Sequence, residues 1–351
     1  RGLGDVYKRQ EEYSTIKRVW VYITGVTDHH QNSQPQSMQR IAGTNVWQWT
    51  TQLNANWRGS YCFIPTERDD IFSAPSPDRL ELREGWRKLL PQAIADPLNP
   101  QSWKGGRGHA VSALEMPQAP LQPGWDCPQA PETPAKEIIW KSERLKNSRR
   151  VWIFTTGDAT AEERPLAVLL DGEFWAQSMP VWPVLTSLTH RRQLPPAVYV
   201  LIDAIDTTHR AHELPCNADF WLAVQQELLP LVKAIAPFSD RADRTVVAGQ
   251  SFGGLSALYA GLHWPERFGC VLSQSGSYWW PHRGGQQEGV LLEQLKAGEV
   301  SAEGLRIVLE AGIREPMIMR ANQALYAQLH PIKESLSLIH ISEPTRQAEI
   351  S

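Results

Sequence analysis

Short apolar runs alternate with helical patterns through the second half of the chain. Five runs are mostly apolar: Leu166–Leu170, Val198–Ile202, Thr245–Ala248, Cys270–Ser273 and Leu305–Leu309. Helical spacing of apolar residues lies among and after them, at Phe220–Ile235, Leu255–Leu262 and Met319–Leu329. This alternation is typical of a mostly parallel sheet covered by helices on both faces. We therefore predict an α/β fold, with the functional site at the carboxyl ends of the strands.

The first 115 or so residues show a different pattern. Arg18–Ile23, Asn45–Thr50 and Ser60–Ile64 are aromatic and β-branched, and polar, Gly and Asn segments separate them. Short strands of this kind predict a small β-sandwich. A helical pattern covers Leu80–Leu90, and a loop follows at Asp96–Pro100.

Prolines interrupt the chain between these two halves. They stand at Pro117, Pro120, Pro123, Pro128, Pro131 and Pro134. This density prevents regular structure and indicates an interdomain linker, although a proline-rich ligand for a partner protein has the same composition. After it, Ile138–Ser142 and Arg150–Thr155 predict a hairpin of edge strands.

The two ends of the chain are related at the level of DNA. Asp5–Gln10 can be encoded by GATGTGTATAAGAGACAG, and the reverse complement encodes Leu336–Ile341. This symmetry indicates the transposon end of a sequencing library, translated at both edges of an insert. We therefore expect poorly packed adapter sequence at 1–10 and 335–351. The expected domains are a β-sandwich at 11–115, a linker at 116–136 and a truncated catalytic domain at 137–334.

Composition narrows the function classes. The 351 residues are 42% apolar and 21% charged, which is typical of a soluble globular protein. A net charge of -3 argues against nucleic acid as a partner, and no apolar run is long enough to span a membrane. The four cysteines lack metal-ligand spacing, so we expect buried thiols in a reducing compartment and no metal or other cofactor.

The strongest chemical signal is the run from Thr245 to Gly254. It contains Gly249-Gln-Ser251-Phe-Gly253 between a strand pattern and a helix pattern, the context of a nucleophile elbow. Such a turn forces the serine into strained dihedral angles, and we expect a Cβ at Gly249 or Gly253 to collide with the strand or the helix. Ser251 is the predicted nucleophile. The N–H of Phe252 and one from the Asp171–Glu173 turn predict an oxyanion hole.

A catalytic triad on this fold follows the order serine, acid, histidine. Glu315, in the loop after the last apolar run, is favoured as the acid over Glu310, which ends that run. Three histidines follow Ser251 within residues 11–334 and are candidates for the base: His263, His282 and His330. None of them stands in a loop after a further strand, so none fits the role.

The motifs Asp171-Gly-Glu173, Arg210-x-x-Glu213-Leu214, Gly249–Gly254, Gly312-Ile-Arg-Glu315 and the Asp96–Pro100 loop together resemble the enterochelin (ferric enterobactin) esterases of enteric bacteria. The resemblance covers about residues 11–334. It implies an amino-terminal sandwich before an α/β-hydrolase domain, and a cytoplasmic serine esterase that opens the trilactone of an imported ferric siderophore. It also assigns Ser251 as nucleophile, with Phe252 and Glu173 as oxyanion donors.

One departure from this family matters. The catalytic histidine of the family lies in a Gly-Gly-His segment. That segment is absent here, so we predict a hydrolase that is inactive or severely impaired. The substrate is an anion with flat aromatic arms, for which stacking and charge predict these partners: Arg210, Tyr278, Trp279, Trp280 and Arg283. A hydrophobic plug at Trp279–Trp280 and a structural Arg210–Glu213 ion pair remain alternatives. So do two functions, a non-catalytic siderophore- or glycan-binding protein and an acyltransferase.

Overall fold

The computed structural model describes residues 15–23, 25–28, 33–72, 79–104, 109–125, 135–282, 288–312, 315–329 and 336–341. The chain divides into two compact units, one reaching Pro120 and one running from Leu121 to Ile341. Residues 116–125 carry turns but neither helix nor strand, and the rest of the proline-rich stretch up to 134 lies outside the described residues.

Antiparallel sheets form the amino-terminal unit. The strands are β1 (Arg18–Ile23), β2 (Gln36–Ser37), β3 (Gln39–Arg40), β4 (Trp47–Gln48), β5 (Arg58–Thr66), β6 (Ser102–Lys104) and β7 (Ala110–Glu115). Five of them form one sheet in the order β2-β1-β5-β7-β6, and β3 pairs with β4. Of the strand predicted at Asn45–Thr50, only Trp47–Gln48 is a strand in the structure, and it pairs with β3.

Both faces of the five-stranded sheet are buried. Trp20 packs with Trp86 of helix α1 (Arg79–Leu89), and a 3₁₀ turn at Leu90–Gln92 follows that helix. Val21, the next residue of β1, packs with Trp57 on the opposite face. Successive strand residues point to opposite faces, so the aromatic and β-branched pattern of β1 supplies two apolar layers at once.

The carboxyl-terminal unit is built on one eight-stranded sheet. Its strands are β8 (Lys136–Ser142), β9 (Asn147–Thr156), β10 (Leu166–Leu169), β11 (Ala197–Ile202), β12 (Thr245–Gln250), β13 (Cys270–Gln274), β14 (Arg306–Gly312) and β15 (Leu336–Ile341). The order is β15-β14-β13-β12-β10-β11-β9-β8, parallel from β15 to β11 and antiparallel at β9 and β8. The predicted fold class, a mostly parallel α/β-hydrolase sheet after a small β domain, is confirmed.

Helices cover this sheet. They are α2 (Trp182–His190), α3 (Thr207–Glu213), α4 (Ala218–Ala223), α5 (Leu229–Ile235), α6 (Phe252–His263), α7 (Val290–Ala297) and α8 (Pro316–Leu329). Single π turns lie at Phe174–Ser178 and Val224–Leu228, and a 3₁₀ turn at Ala242–Arg244. The second π turn joins α4 to α5, which confirms the helical pattern predicted at Phe220–Ile235. None of the described helices is both long and apolar enough to cross a membrane.

The expected adapter segment Leu336–Ile341 pairs its backbone with the sheet. It forms strand β15, in parallel register with Ile307–Gly312 of β14. It lies at the edge of the sheet, not at its centre. Backbone pairing explains this result, because an open sheet edge presents unpaired N–H and C=O groups to any extended segment, whatever its side chains. Asp5–Gln10, the matching segment at the other end, lies outside the described residues.

Candidate active site

Ser251 stands at the turn between β12 and α6 with a φ of 55° and a ψ of -117°. Such dihedral angles are strained for a residue with a side chain, as the sequence predicted. A Cβ at Gly249 would lie 2.4 Å from the carbonyl carbon of Gly253, so the strand and helix backbones touch there. The matching expectation for Gly253 is wrong. A Cβ at that position would lie 3.4 Å from the Asp171 carboxylate, which is ordinary contact.

The Ser251 hydroxyl faces another hydroxyl. Ser251 is 8% exposed, and its Oγ lies 3.1 Å from Oγ of Ser277. The Ser277 N–H also donates to the Ser251 carbonyl at 3.1 Å. Within the described part of the chain, no imidazole hydrogen-bonds to Ser251.

The histidines of the segment are placed elsewhere. His263 ends α6, and its Nδ1 lies 3.0 Å from the carbonyl of Tyr259. Burial lowers the pKa of His263, and the hydrogen bond to Tyr259 only partly opposes this effect. His282 donates its backbone N–H to Trp279, and His330 lies outside the described residues. Neither described histidine occupies the position of a base for Ser251.

The predicted oxyanion donors lie in the first turns of two helical segments. Phe252 is the first residue of α6, and Glu173 directly precedes the π turn that follows β10. First-turn N–H groups have no carbonyl partner within their own helix, so they are free to point at an anion. Asp171, at the start of the second turn, has a φ of 57°.

Arg210 joins these two turns. Its Nε and terminal nitrogen donate to the two oxygens of Asp171 at 2.6 and 2.9 Å, and the same nitrogen donates to the Gln250 carbonyl at 3.2 Å. Burial alone would lower the pKa of Arg210, but the charge and hydrogen bonds of Asp171 raise it. The guanidinium therefore stays charged beside the residue that precedes Ser251.

The alternative of an Arg210–Glu213 ion pair is wrong. Glu213 instead accepts from Arg149 at 2.6 Å, in a pair that is almost fully buried. Arg210 and Glu213 are three residues apart on helix α3, but they face different partners. Arg210 pairs with Asp171, which follows β10, and Glu213 pairs with Arg149 on β9.

The two candidate acids lie on the other side of Ser251. Glu315 is 3% exposed, and its Oε2 accepts from Ser275 Oγ at 2.5 Å and from the Gly312 N–H at 3.0 Å. Glu310 accepts from Gln274 Nε2 at 2.8 Å. Burial raises the pKa of Glu310, the Gln274 hydrogen bond opposes this, and the charge of Glu315 adds to the rise. Neither carboxylate hydrogen-bonds to Ser251 among the described residues.

The segment Ser275–Ser277, which we call the serine loop, contacts both the nucleophile and the candidate acids. Ser275 has a φ of 47°, and its N–H donates to the Glu310 carbonyl at 2.6 Å. Asn322 of α8, which is fully buried, donates to the Gly276 carbonyl at 3.1 Å. Sequence reasoning missed Ser277 and Asn322 as functional candidates. The available signal was a run of small polar residues at the carboxyl end of β13, the strand next to the elbow.

The predicted aromatic partners divide into two groups. The Trp279 ring lies 5.9 Å from the Phe252 ring, beside the elbow, and Trp280 packs partly buried against the core. Tyr278 is buried, and its hydroxyl donates to Ser273 Oγ at 2.5 Å behind the elbow. This placement contradicts the predicted stacking role of Tyr278, because its ring fills the space next to Gly276. Arg283 lies outside the described residues.

Comparison with known proteins identifies the two units. Residues 6–125 match a family model described as the enterochelin esterase N-terminal domain, and residues 142–338 match one described as a putative esterase. The iron(III) enterobactin esterase of Escherichia coli K12 is 98% identical over 326 residues, which are 93% of this chain and 82% of that protein.

Two more distant comparisons agree. An iron(III) enterobactin esterase of Dickeya dadantii is 48% identical over 341 residues, 91% of this chain and 77% of that protein. The enterobactin esterase from Shigella flexneri, solved in the presence of enterobactin, has a TM-score of 0.90 and 91% identity. That similarity covers 98% of this chain and 87% of the solved one.

Proposed function

This chain belongs to the enterochelin esterase family, and on that premise we propose that it hydrolyses the ester bonds of the ferric enterobactin trilactone, with Ser251 as its nucleophile. One observation carries this proposal: Ser251 sits in strained geometry at a strand-to-helix turn, with its backbone flanked by two helical first turns. A serine held in this way can attack an ester carbonyl, and its acyl-enzyme is then released by water.

Attack on the carbonyl develops negative charge on its oxygen. In the proposed mechanism the N–H groups of Phe252 and Glu173 bind that oxygen. Arg210 supports them in two ways. Its ion pair with Asp171 fixes the turn that carries Glu173, and its positive charge lies beside the carbonyl of Gln250. We therefore move Arg210 from direct substrate stacking to the support of the oxyanion site.

Glu315 is the proposed acid of the triad. Its burial and its two hydrogen bonds from Ser275 and Gly312 support this role, since they hold the carboxylate in one orientation. The base is proposed to be a histidine outside the described residues. Without a base the serine hydroxyl is a weak nucleophile, and oxyanion binding with substrate positioning leaves roughly 10³–10⁴-fold acceleration over water.

The ferric siderophore is a tris-catecholate anion with flat aromatic arms, and its iron is cargo. Trp279 is the best-supported stacking partner, because its partly exposed ring lies next to Phe252 at the elbow. Trp280 and Arg283 remain proposed contacts. The proposed compartment is the cytoplasm, and separation of cytoplasmic and periplasmic fractions, with the enzyme expected in the former, tests it.

Covalent labelling tests the nucleophile. A fluorophosphonate probe should label this chain slowly at Ser251, and Ser251→Ala should remove the label. Ser256→Ala is the matched control, because Ser256 is a buried serine of α6, the helix that follows Ser251, and its hydroxyl accepts from Trp221. Label that persists in Ser251→Ala contradicts the assignment. Binding of ferric enterobactin without any label would identify a binding protein.

Product analysis tests the reaction and the missing base together. We define the extended chain as residues 1–334 followed by the carboxyl-terminal segment of the E. coli K12 relative. It should release linear serine esters from ferric enterobactin at least 100-fold faster than the present chain, because we propose that the added segment supplies the base. Equal rates contradict this role of the segment. Transfer of the acyl group to an added alcohol, in preference to water, would identify an acyltransferase.

A further inference from the structure

The serine loop places a second hydroxyl against the nucleophile. Oγ of Ser277 lies 3.1 Å from Oγ of Ser251, and both residues are buried. The Ser277 N–H also donates to the Ser251 carbonyl, so two separate bonds tie these residues together. This second bond holds the two backbones in one relative position, so the contact between hydroxyls does not depend on one rotatable side chain alone.

We infer that Ser277 is a further catalytic group, whose hydroxyl donates a hydrogen bond to the Ser251 oxygen as that oxygen loses its proton. The inference rests on the proposed role of Ser251. In the attack step the Ser251 O–H bond breaks and its proton passes to the base, the new C–O bond to the substrate carbonyl carbon forms, and the π pair of the carbonyl moves to its oxygen as the oxyanion. Ser277 keeps its own proton throughout and only shares it, so no bond of Ser277 breaks. A hydroxyl can fill this role because it is both donor and acceptor.

Asn322 is the positioning residue for Ser277. Its Nδ2 donates to the Gly276 carbonyl at 3.1 Å and to the Ile318 carbonyl at 2.9 Å. Its Oδ1 is buried and has no hydrogen-bond partner in the described part of the chain. A buried acceptor left unpaired costs stability, so packing alone would favour an apolar side chain here. The bond to Gly276 gives this amide a use, since it fixes the residue between the two serines of the loop.

A thiol at position 251 reports the proposed hydrogen bond without requiring a base or ester hydrolysis. Ser251→Cys should be alkylated by iodoacetamide with a pH dependence set by its thiol pKa, since the thiolate is the reactive form. A hydrogen-bond donor favours the charged form of a group. Adding Ser277→Ala to Ser251→Cys should therefore raise that pKa by about one unit, which is the size of one hydrogen bond to a charged group.

Peptide mass spectrometry separates the introduced thiol from the native ones, of which Cys62, Cys216 and Cys270 are free among the described residues. Ser256→Ala in the same background is the control. It removes a buried hydroxyl that accepts from Trp221, so it tests loss of stability without loss of the contact to position 251. The thiol pKa should not move in this variant.

Asn322→Leu provides a second test that leaves Ser277 in place and applies even if Ser277→Ala does not fold. We expect the thiol pKa to rise in the same direction by less than in Ser277→Ala, with no loss of unfolding free energy. An unchanged thiol pKa in the folded variants overturns the inference. The failure of the proposed function looks different: the pKa rises, but fluorophosphonate never labels Ser251 in the unmodified chain.

Discussion

The two flanks of Ser251 are held by different chemistry. On the oxyanion flank, Asp171 and Arg210 form a buried ion pair with two hydrogen bonds. On the acid flank, Glu315 accepts from the hydroxyl of Ser275 and a backbone N–H, and Glu310 accepts from the amide of Gln274. In this ion pair the positive charge of Arg210 balances the negative charge of the Asp171 carboxylate that it holds in place. The two donors to Glu315, a hydroxyl and a backbone N–H, orient its carboxylate without adding a positive charge of their own.

We expect the largest effect from Asp171→Asn, which tests whether the oxyanion flank depends on charge. Asparagine tolerates the positive φ of position 171, so the turn itself is preserved. The substitution leaves the Arg210 guanidinium buried without a counter-charge, which typically costs about 3–5 kcal/mol. Urea unfolding measures this loss. A change below about 1 kcal/mol would show that hydrogen bonding without charge suffices on this flank.

Glu315→Gln tests the acid flank in the extended chain. The amide can still accept from Ser275 and Gly312, so we expect little change in stability. Its charge is lost, so kcat should fall roughly 100-fold or more, as for other triads that lose their acid. Steady-state hydrolysis of ferric enterobactin measures it. Glu310→Gln is the matched control, and a larger loss of kcat in that variant would reverse the assignment of the two carboxylates.

Glu310→Gln should also change the pH dependence of stability, by a smaller amount. The folded chain holds the Glu310 proton more tightly than the unfolded chain, because burial raises its pKa above the ordinary 4.5. This contribution to stability is complete below pH 4.5 and is lost as the pH rises through the raised value. The variant should remove that loss and be more stable than the parent chain at pH 7. Unfolding curves at pH 4 and pH 7 test the sign, which a gain at pH 4 alone would contradict.

The smallest effect is expected at an exposed ion pair, which calibrates the first prediction. Arg241 and Asp243 pair at 2.6 Å, the same distance as Arg210 and Asp171, but their side chains are 63% and 46% exposed. Solvent screens such pairs, so Asp243→Asn should shift Tm by no more than about 1 °C. If Asp243→Asn lowered Tm as much as Asp171→Asn does, burial would not distinguish the two ion pairs.

The sequence predicts most of what depends on local pattern. The five apolar runs of the second half all became strands of the parallel sheet, and the elbow has the strained geometry that its glycines imply. Local pattern is sufficient here, because a buried strand needs a continuous apolar run and the turn at Ser251 needs a glycine at position 249. The same reasoning placed helix α1 within one residue.

Long-range pairing is what the sequence does not reveal. An Arg210–Glu213 ion pair is one alternative that the sequence leaves open, but the partner of Arg210 is Asp171, 39 residues away. Stacking on the flat arms of the substrate is predicted for Tyr278, but its hydroxyl turns inward to Ser273. Each of these side chains could pair with several neighbours. Which of them it contacts depends on the strands that the fold brings together.

The contact between Gly249 and Gly253 has a consequence for second-site suppression. Every substitution at Gly249 adds a Cβ that meets the Gly253 backbone at 2.4 Å, and no change of side chain can move that backbone aside. Gly59 in the amino-terminal unit is equally crowded, but there the obstacle is the Trp57 side chain at 2.4 Å. A smaller residue at 57 could therefore rescue a mutant at 59. At position 249 the nearest obstacles are backbone atoms, so trimming a neighbouring side chain should not rescue a mutant there.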